Sequence, residues 1–118
     1  KKSIQGRMHY TKDLMTYNYV IKNYMNPKFE TPCTAGKLFG IIDSKGNIYA
    51  CEILEDMIGS LRENNMNFMQ IWNNNNNKNL RKKIKDTNCN CTYECALTYN
   101  FLSSYKYQPK FIKSILDY

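Results

Sequence analysis

Residues 38–51 read LFGIIDSKGNIYAC, and the fold turns on how that stretch is taken. Leu38, Phe39, Ile41 and Ile42 make an apolar run suited to a strand. Asp43-Ser44-Lys45-Gly46 is turn chemistry, with glycine where the chain needs a positive φ. Asn47, Ile48, Tyr49 and Ala50 return as a second strand ending at Cys51. A β-hairpin here carries Cys51 back toward the end where Cys33 lies. Two residues distant in sequence thereby become neighbours.

Moving outward, the spacing predicts a helix from Thr11, with Leu14, Tyr17, Ile21, Tyr24 and Met25 on one stripe. Thr11 is placed to cap it and Asn26-Pro27 to end it, while the first ten residues give no periodic signal. Downstream, Gly59 within Glu52–Glu63 suggests a turn. Phe68, Ile71 and Trp72 fall at i, i+3 and i+4, which predicts a short helix with its apolar face inward. The run from Asn73 to Asn77 reads as a solvated loop without a function of its own. Leu80 and Ile84 mark a helix whose wet side is Arg81, Lys82, Lys83 and Lys85. Ala96, Leu97, Tyr99 and Leu102 predict another, and Pro109 opens a last one with Phe111, Ile112, Ile115 and Leu116 apolar. The expected class is α+β: a small β-hairpin with several surrounding helices, organised around a cysteine-ligated centre.

The 118 residues are room for one domain, and 42% hydrophobic with 14% aromatic content excludes a disordered tail. No apolar run approaches the roughly 18–20 residues that cross a bilayer, and no signal-like segment opens the chain. Because it opens Lys-Lys-Ser, it is expected to be a piece of something longer or a processed product. The net charge of +7 invites a nucleic-acid partner, but 14 lysines stand against 3 arginines. Bidentate base and phosphate contacts favour arginine, so nucleic acid is not expected as a partner; nor, without a spanning apolar run, is a membrane.

Cys33, Cys51, Cys89, Cys91 and Cys95 are an odd set, which cannot all pair within one chain. Three of them within seven residues suit a metal or cluster site in a reducing compartment, the cytoplasm, better than a disulfide framework. Residues two apart in a strand share a side, so Cys89 and Cys91 can face one object; four apart in a helix, so can Cys91 and Cys95. With the hairpin joining Cys33 to Cys51, four or five thiols are expected to converge. Desolvated thiolates repel one another and converge stably only around cations. His9, the one histidine, reads as a surface residue, so the ligand set is all sulfur. Such a set holds zinc or an iron–sulfur cluster. Spacings of C-x17-C and C-x-C-x3-C are wider than the C-x2-C knuckles of structural zinc sites and favour a cubane, with zinc as the alternative in a basic binding module. A disulfide-bonded secreted domain is the third reading.

The same residues resemble a known family, the SPASM-type auxiliary-cluster domain found C-terminal to the barrel of many radical SAM enzymes. Its motif opens with C, nine to fifteen residues, G, four residues, C. Here Cys33, twelve residues, Gly46, four residues and Cys51 follow it. Gly59-Ser60-Leu61-Arg62-Glu63 is similar to its Gly-Asn-Leu-Arg-Glu turn, Ile71-Trp72-Asn73 to the stretch after it, and Cys91-Thr92-Tyr93-Glu94-Cys95 to its C-x3-C step. The resemblance runs from about Pro32 to Leu116. It departs in lacking the C-x2-C-x5-C-x3-C block and a later cysteine, which implies one [4Fe–4S] cluster, as in shortened relatives.

By position the resemblance implies Cys33, Cys51 and Cys95 as ligands. The fourth is Cys91 or Cys89; Cys91 is favoured as one helical turn from Cys95, leaving Cys89 spare or substitute. Residues 1–30 would then link to an upstream radical SAM barrel and 31–118 form the auxiliary domain. The C-x3-C-x2-C loop that holds the S-adenosylmethionine-cleaving cluster does not occur, because Thr98 stands where its last cysteine would be. No catalytic residue is therefore expected in this chain, and S-adenosylmethionine would bind only upstream. The implied function belongs to a maturase: electron transfer to or from a substrate radical, or seating of a peptide or protein substrate. The implied partners are the chain's own barrel and that substrate.

Overall fold

The computed structural model describes residues 3–116. Among them are five α-helices and one three-stranded antiparallel sheet, so the class is α+β. In chain order these are α1 (Ile4–Met25), β1 (Ile41–Ile42), β2 (Asn47–Tyr49), β3 (Met57–Ser60), α2 (Phe68–Trp72), α3 (Asn75–Asp86), α4 (Glu94–Ser103) and α5 (Gln108–Leu116). They fall into two compact units. Among the described residues, one joins 3–32 to 90–116, and the other is 33–89.

The second unit is built on the hairpin. β1 and β2 pair with Ile41 opposite Tyr49 and Ile42 opposite Ile48. The turn is tied by Asp43, whose carboxylate accepts from the Lys45 and Asn47 amides at 2.8 and 2.9 Å and from the Asn47 side chain at 2.9 Å. Those bonds hold the Asp43 carboxyl below the usual range. Gly46 has φ +86°, the left-handed conformation read from the turn chemistry. A third strand was not expected: Gly59 lies inside β3, opposite Ile48, rather than at a turn. Its missing side chain is needed because a Cβ there would sit 2.9 Å from Ile71 Cγ2. Ile48, Ile58, Ile71, Leu80 and Ile84 are buried.

The short helix α2 forms as the spacing predicts, but only Ile71 is buried; Phe68 is exposed and stacks on Trp72 at 5.3 Å. The asparagine run is no solvated loop. Asn74 caps α3 by accepting from the Asn77 amide at 2.8 Å, and Asn77 is fully buried. The polar tract is a helix start, since asparagine is a strong N-cap residue. Lys82, Lys83 and Lys85 are wet as expected, whereas Arg81 is half-buried.

The first unit packs α1 with α4 and α5. Met15, Tyr19, Leu97, Phe101, Tyr107 and Phe111 form its core, with Tyr19 and Tyr107 edge-on to Phe101 at 5.6 and 4.8 Å. α1 starts at Ile4, capped by Ser3, rather than near Thr11. Its buried face is Met15, Thr16, Tyr19 and Asn23. Leu14, Tyr17, Ile21, Tyr24 and Met25, the stripe read as core, are exposed. The helix is apolar on two sides, and periodicity cannot say which one its neighbours cover. Likewise Phe111 is buried in α5, while Ile112 and Leu116 are exposed. No described helix is long and apolar enough to cross a membrane.

Candidate metal centre

All five cysteines are thiols in the structure. Cys33, Cys51 and Cys89 belong to the sheet unit, Cys91 and Cys95 to the helical one. Cys33 is half-buried and leads into a tight loop. The Lys37 and Leu38 amides donate to the Thr34 carbonyl at 3.0 and 2.9 Å, and the Gly36 amide donates to Phe39 at 2.9 Å. Ala35, within this loop, is buried, and the left-handed φ of Gly36 (+70°) lets the loop close.

Cys51 follows β2 and is 5% exposed. Its sulfur accepts from the Ile53 amide at 3.5 Å. N–H groups on sulfur are one of the means by which a protein tunes a thiolate-bound metal. Cys51 also lines an open cavity of about 380 Å³ with Ile41, Tyr49 and Leu54. The charged groups on that cavity are Asp43, Glu52 and Glu55.

The Cys89 amide donates to Ile84 at 3.0 Å, closing the end of α3 beyond Asn88, whose φ is +48°. Cys95 stands in the first turn of α4 and is exposed. A ligand there sits at the positive end of the helix dipole. Cys91 does not share that helix: α4 begins at Glu94 with Tyr93 at its cap. One helical turn therefore does not separate Cys91 from Cys95, and that ground for preferring Cys91 over Cys89 falls away. Asn90, between them, is anchored instead, donating to Asn23 at 2.8 Å and accepting from the Tyr19 hydroxyl. The buried Asn23 and the half-buried Asn90 carry no signal in the sequence, because asparagine abounds along the chain.

His9 is exposed, as read, and lines an apolar cavity of about 520 Å³ in the helical unit, with Ile4, Met8, Leu102 and Phe111. No cysteine lines it. Among the described residues, no group of three or more His, Cys, Asp or Glu side chains is gathered at metal-binding distance. The donor chemistry fits an iron–sulfur cluster nonetheless: five soft sulfur side chains, one of them buried with an N–H on its sulfur.

Comparison with curated proteins and with solved structures gave no match. A family model does match, over residues 33–96, a span that takes in the hairpin, the asparagine-capped helix and all five cysteines. The chain belongs to the SPASM family of iron–sulfur cluster-binding domains.

Proposed function

We propose that the chain is the auxiliary [4Fe–4S] domain of a cytoplasmic radical SAM enzyme that modifies a peptide or protein. Cys33, Cys51 and Cys95 are its ligands, with Cys91 or Cys89 as the fourth. The observation that carries this reading is the hairpin. The Cys33-x12-Gly46-x4-Cys51 spacing folds as a tied β-turn with Gly46 at φ +86°, and Cys51 is buried at its end.

A bound cluster supplies one-electron transfer at low potential. Four cysteine ligands would fill every iron site, which favours that role over direct ligation of substrate. The chain's own residues shape the centre. The Ile53 amide holds the Cys51 sulfur, and the carboxylates of Glu52 and Glu55 place negative charge beside it. Such charge disfavours adding an electron and would keep the potential low. The second apolar face of α1 (Tyr10, Leu14, Tyr17, Ile21 and Tyr24, all exposed) supports a neighbouring body such as the barrel, because a helix apolar on two sides is normally covered on both.

Anaerobic reconstitution with iron and sulfide tests the reading. The expected product absorbs near 400 nm, a band that is lost in Cys33→Ser and Cys51→Ser. Colourless protein carrying one zinc per chain, or a 400 nm band unaffected by both substitutions, would sink it.

A further inference from the structure

Arg81 and Asn77 lie four residues apart on one face of α3, and both reach the same two backbone carbonyls. The Gly36 carbonyl accepts from Asn77 Nδ2 at 3.1 Å and from Arg81 Nε at 2.5 Å. The carbonyl of Trp72, at the end of α2, accepts from Asn77 Nδ2 at 2.7 Å and from Arg81 Nη2 at 3.0 Å. The guanidinium also lies 5.6 Å from the centre of the Trp72 ring. A helix-end carbonyl has no partner within its own helix, so this fork completes α2 while gripping the loop that follows Cys33.

The grip is close. A Cβ on Gly36 would lie 2.6 Å from Asn77 Oδ1 and 3.2 Å from the Ala50 Cβ, one residue before Cys51. The Cys33 loop is thus pressed onto the end of β2. Asn77 is fully buried and its Oδ1 has no hydrogen-bond partner. Turning the amide over would set that oxygen against two carbonyl oxygens, so the orientation is fixed by its acceptors. Leaving a buried polar atom without a partner is costly. The site tolerates this because the amide nitrogen serves two carbonyls at once.

We infer that Arg81 and Asn77 are positioning residues, a clamp that sets the Cys33 loop against the Cys51 strand end without any metal. This half of the cysteine set is therefore shaped before a cluster arrives. The inference rests on the ligand assignment of Cys33 and Cys51 given above. Every group in the clamp is a backbone carbonyl or a side chain of the sheet unit, and none is a sulfur. Arg81 acts through its fork: lysine keeps the charge but cannot reach two carbonyls in fixed directions.

The test uses Arg81→Lys and Asn77→Ala in the full chain, with two readouts. In the metal-free protein, amide hydrogen exchange at Gly36, Lys37 and Leu38 is expected to quicken at least tenfold in either variant. The Ile48 amide, in the sheet, should stay within about twofold of wild type in Arg81→Lys. In anaerobically reconstituted protein, iron release to a chelator should quicken at least tenfold. Should Asn77→Ala fail to fold, Arg81→Lys alone decides. Unchanged exchange at residues 36–38 overturns the clamp. Faster exchange with unchanged iron release makes the pair merely structural and overturns the positioning role. If wild type takes up no iron, the ligand assignment itself fails and the positioning role with it, while exchange still reads the clamp.

Discussion

Phe101→Ala should cost the helical unit about 4 kcal/mol. Phe101 is 1% exposed at the centre of the core and meets Tyr19 and Tyr107 edge-on at 5.6 and 4.8 Å. Truncating a buried phenylalanine costs about 3–5 kcal/mol, and edge-to-face pairs contribute roughly 0.5–1.5 kcal/mol beyond their area. A unit of this size has only roughly 3–9 kcal/mol to lose. The substitution therefore brings α1, α4 and α5 close to their unfolding midpoint at 25 °C. Cys95, a ligand in the function proposed above, rides on α4, so on that reading iron retention should fall with the helix although Phe101 carries no ligand atom. Urea titration followed by amide exchange measures the loss in these helices. Trp72 emission reports separately on the other unit, because Trp72 is the single tryptophan and lies there. Leu102→Ala, one residue on but 45% exposed, is the control and should cost less than about 1 kcal/mol. A loss below about 1.5 kcal/mol for Phe101→Ala, or one equal to that of Leu102→Ala, would refute the assignment of α4's buried face.

Three further outcomes follow from the same physical reasoning. Gly46→Ala forces a side chain into φ +86° and should cost about 1–2 kcal/mol in urea midpoint terms, whereas Ser44→Ala in the same turn, at an exposed position, should stay within about 0.5 kcal/mol. Ile21→Glu with Tyr24→Glu should leave the stability of the isolated chain within about 1 kcal/mol, since the two side chains are 64% and 83% exposed; a larger loss would return that stripe to the core. The third concerns Glu30, whose carboxyl is held below its usual range first by the Lys22 ammonium, and also by the Tyr107 hydroxyl at 2.9 Å and Lys106 at 3.6 Å. A depressed carboxyl stabilises the folded state above its ordinary value near 4.5 and loses that contribution as pH falls through the folded value. Glu30→Gln should therefore flatten the stability profile below about pH 4.5 and lower stability at pH 7. Burial, then the bond to Glu30, pushes the Tyr107 phenol up, so its contribution is present below about pH 10 and fades above it. A profile unchanged by Glu30→Gln in acid would disprove the pairing.

The readings that survived were local. Asp43-Ser44-Lys45-Gly46 is a turn whichever way the rest of the chain packs, because the Asp43 carboxylate bonds amides two and four residues on and glycine accepts φ +86°. The α2 spacing and the buried Leu80–Ile84 face are likewise properties of neighbouring residues. Cys33-x12-Gly46-x4-Cys51 could therefore be matched to a family from the letters alone.

What the letters left undecided depends on partners distant in the chain. α1 carries two apolar stripes, and only Tyr19 meeting Phe101, 82 residues further on, selects the face that is buried. The asparagine run looks like solvent-loving filler until Ile58 and Gly36 supply carbonyls for Asn74 and Asn77 to donate to. Arg81 reads as one more surface cation beside three lysines, and becomes a half-buried fork only because the Gly36 and Trp72 carbonyls lie within its reach. Turns and caps are settled by bonds spanning a few residues, which a sequence displays directly; the choice of buried face, and the use of a polar group under it, is settled by whichever distant carbonyl or ring the fold delivers.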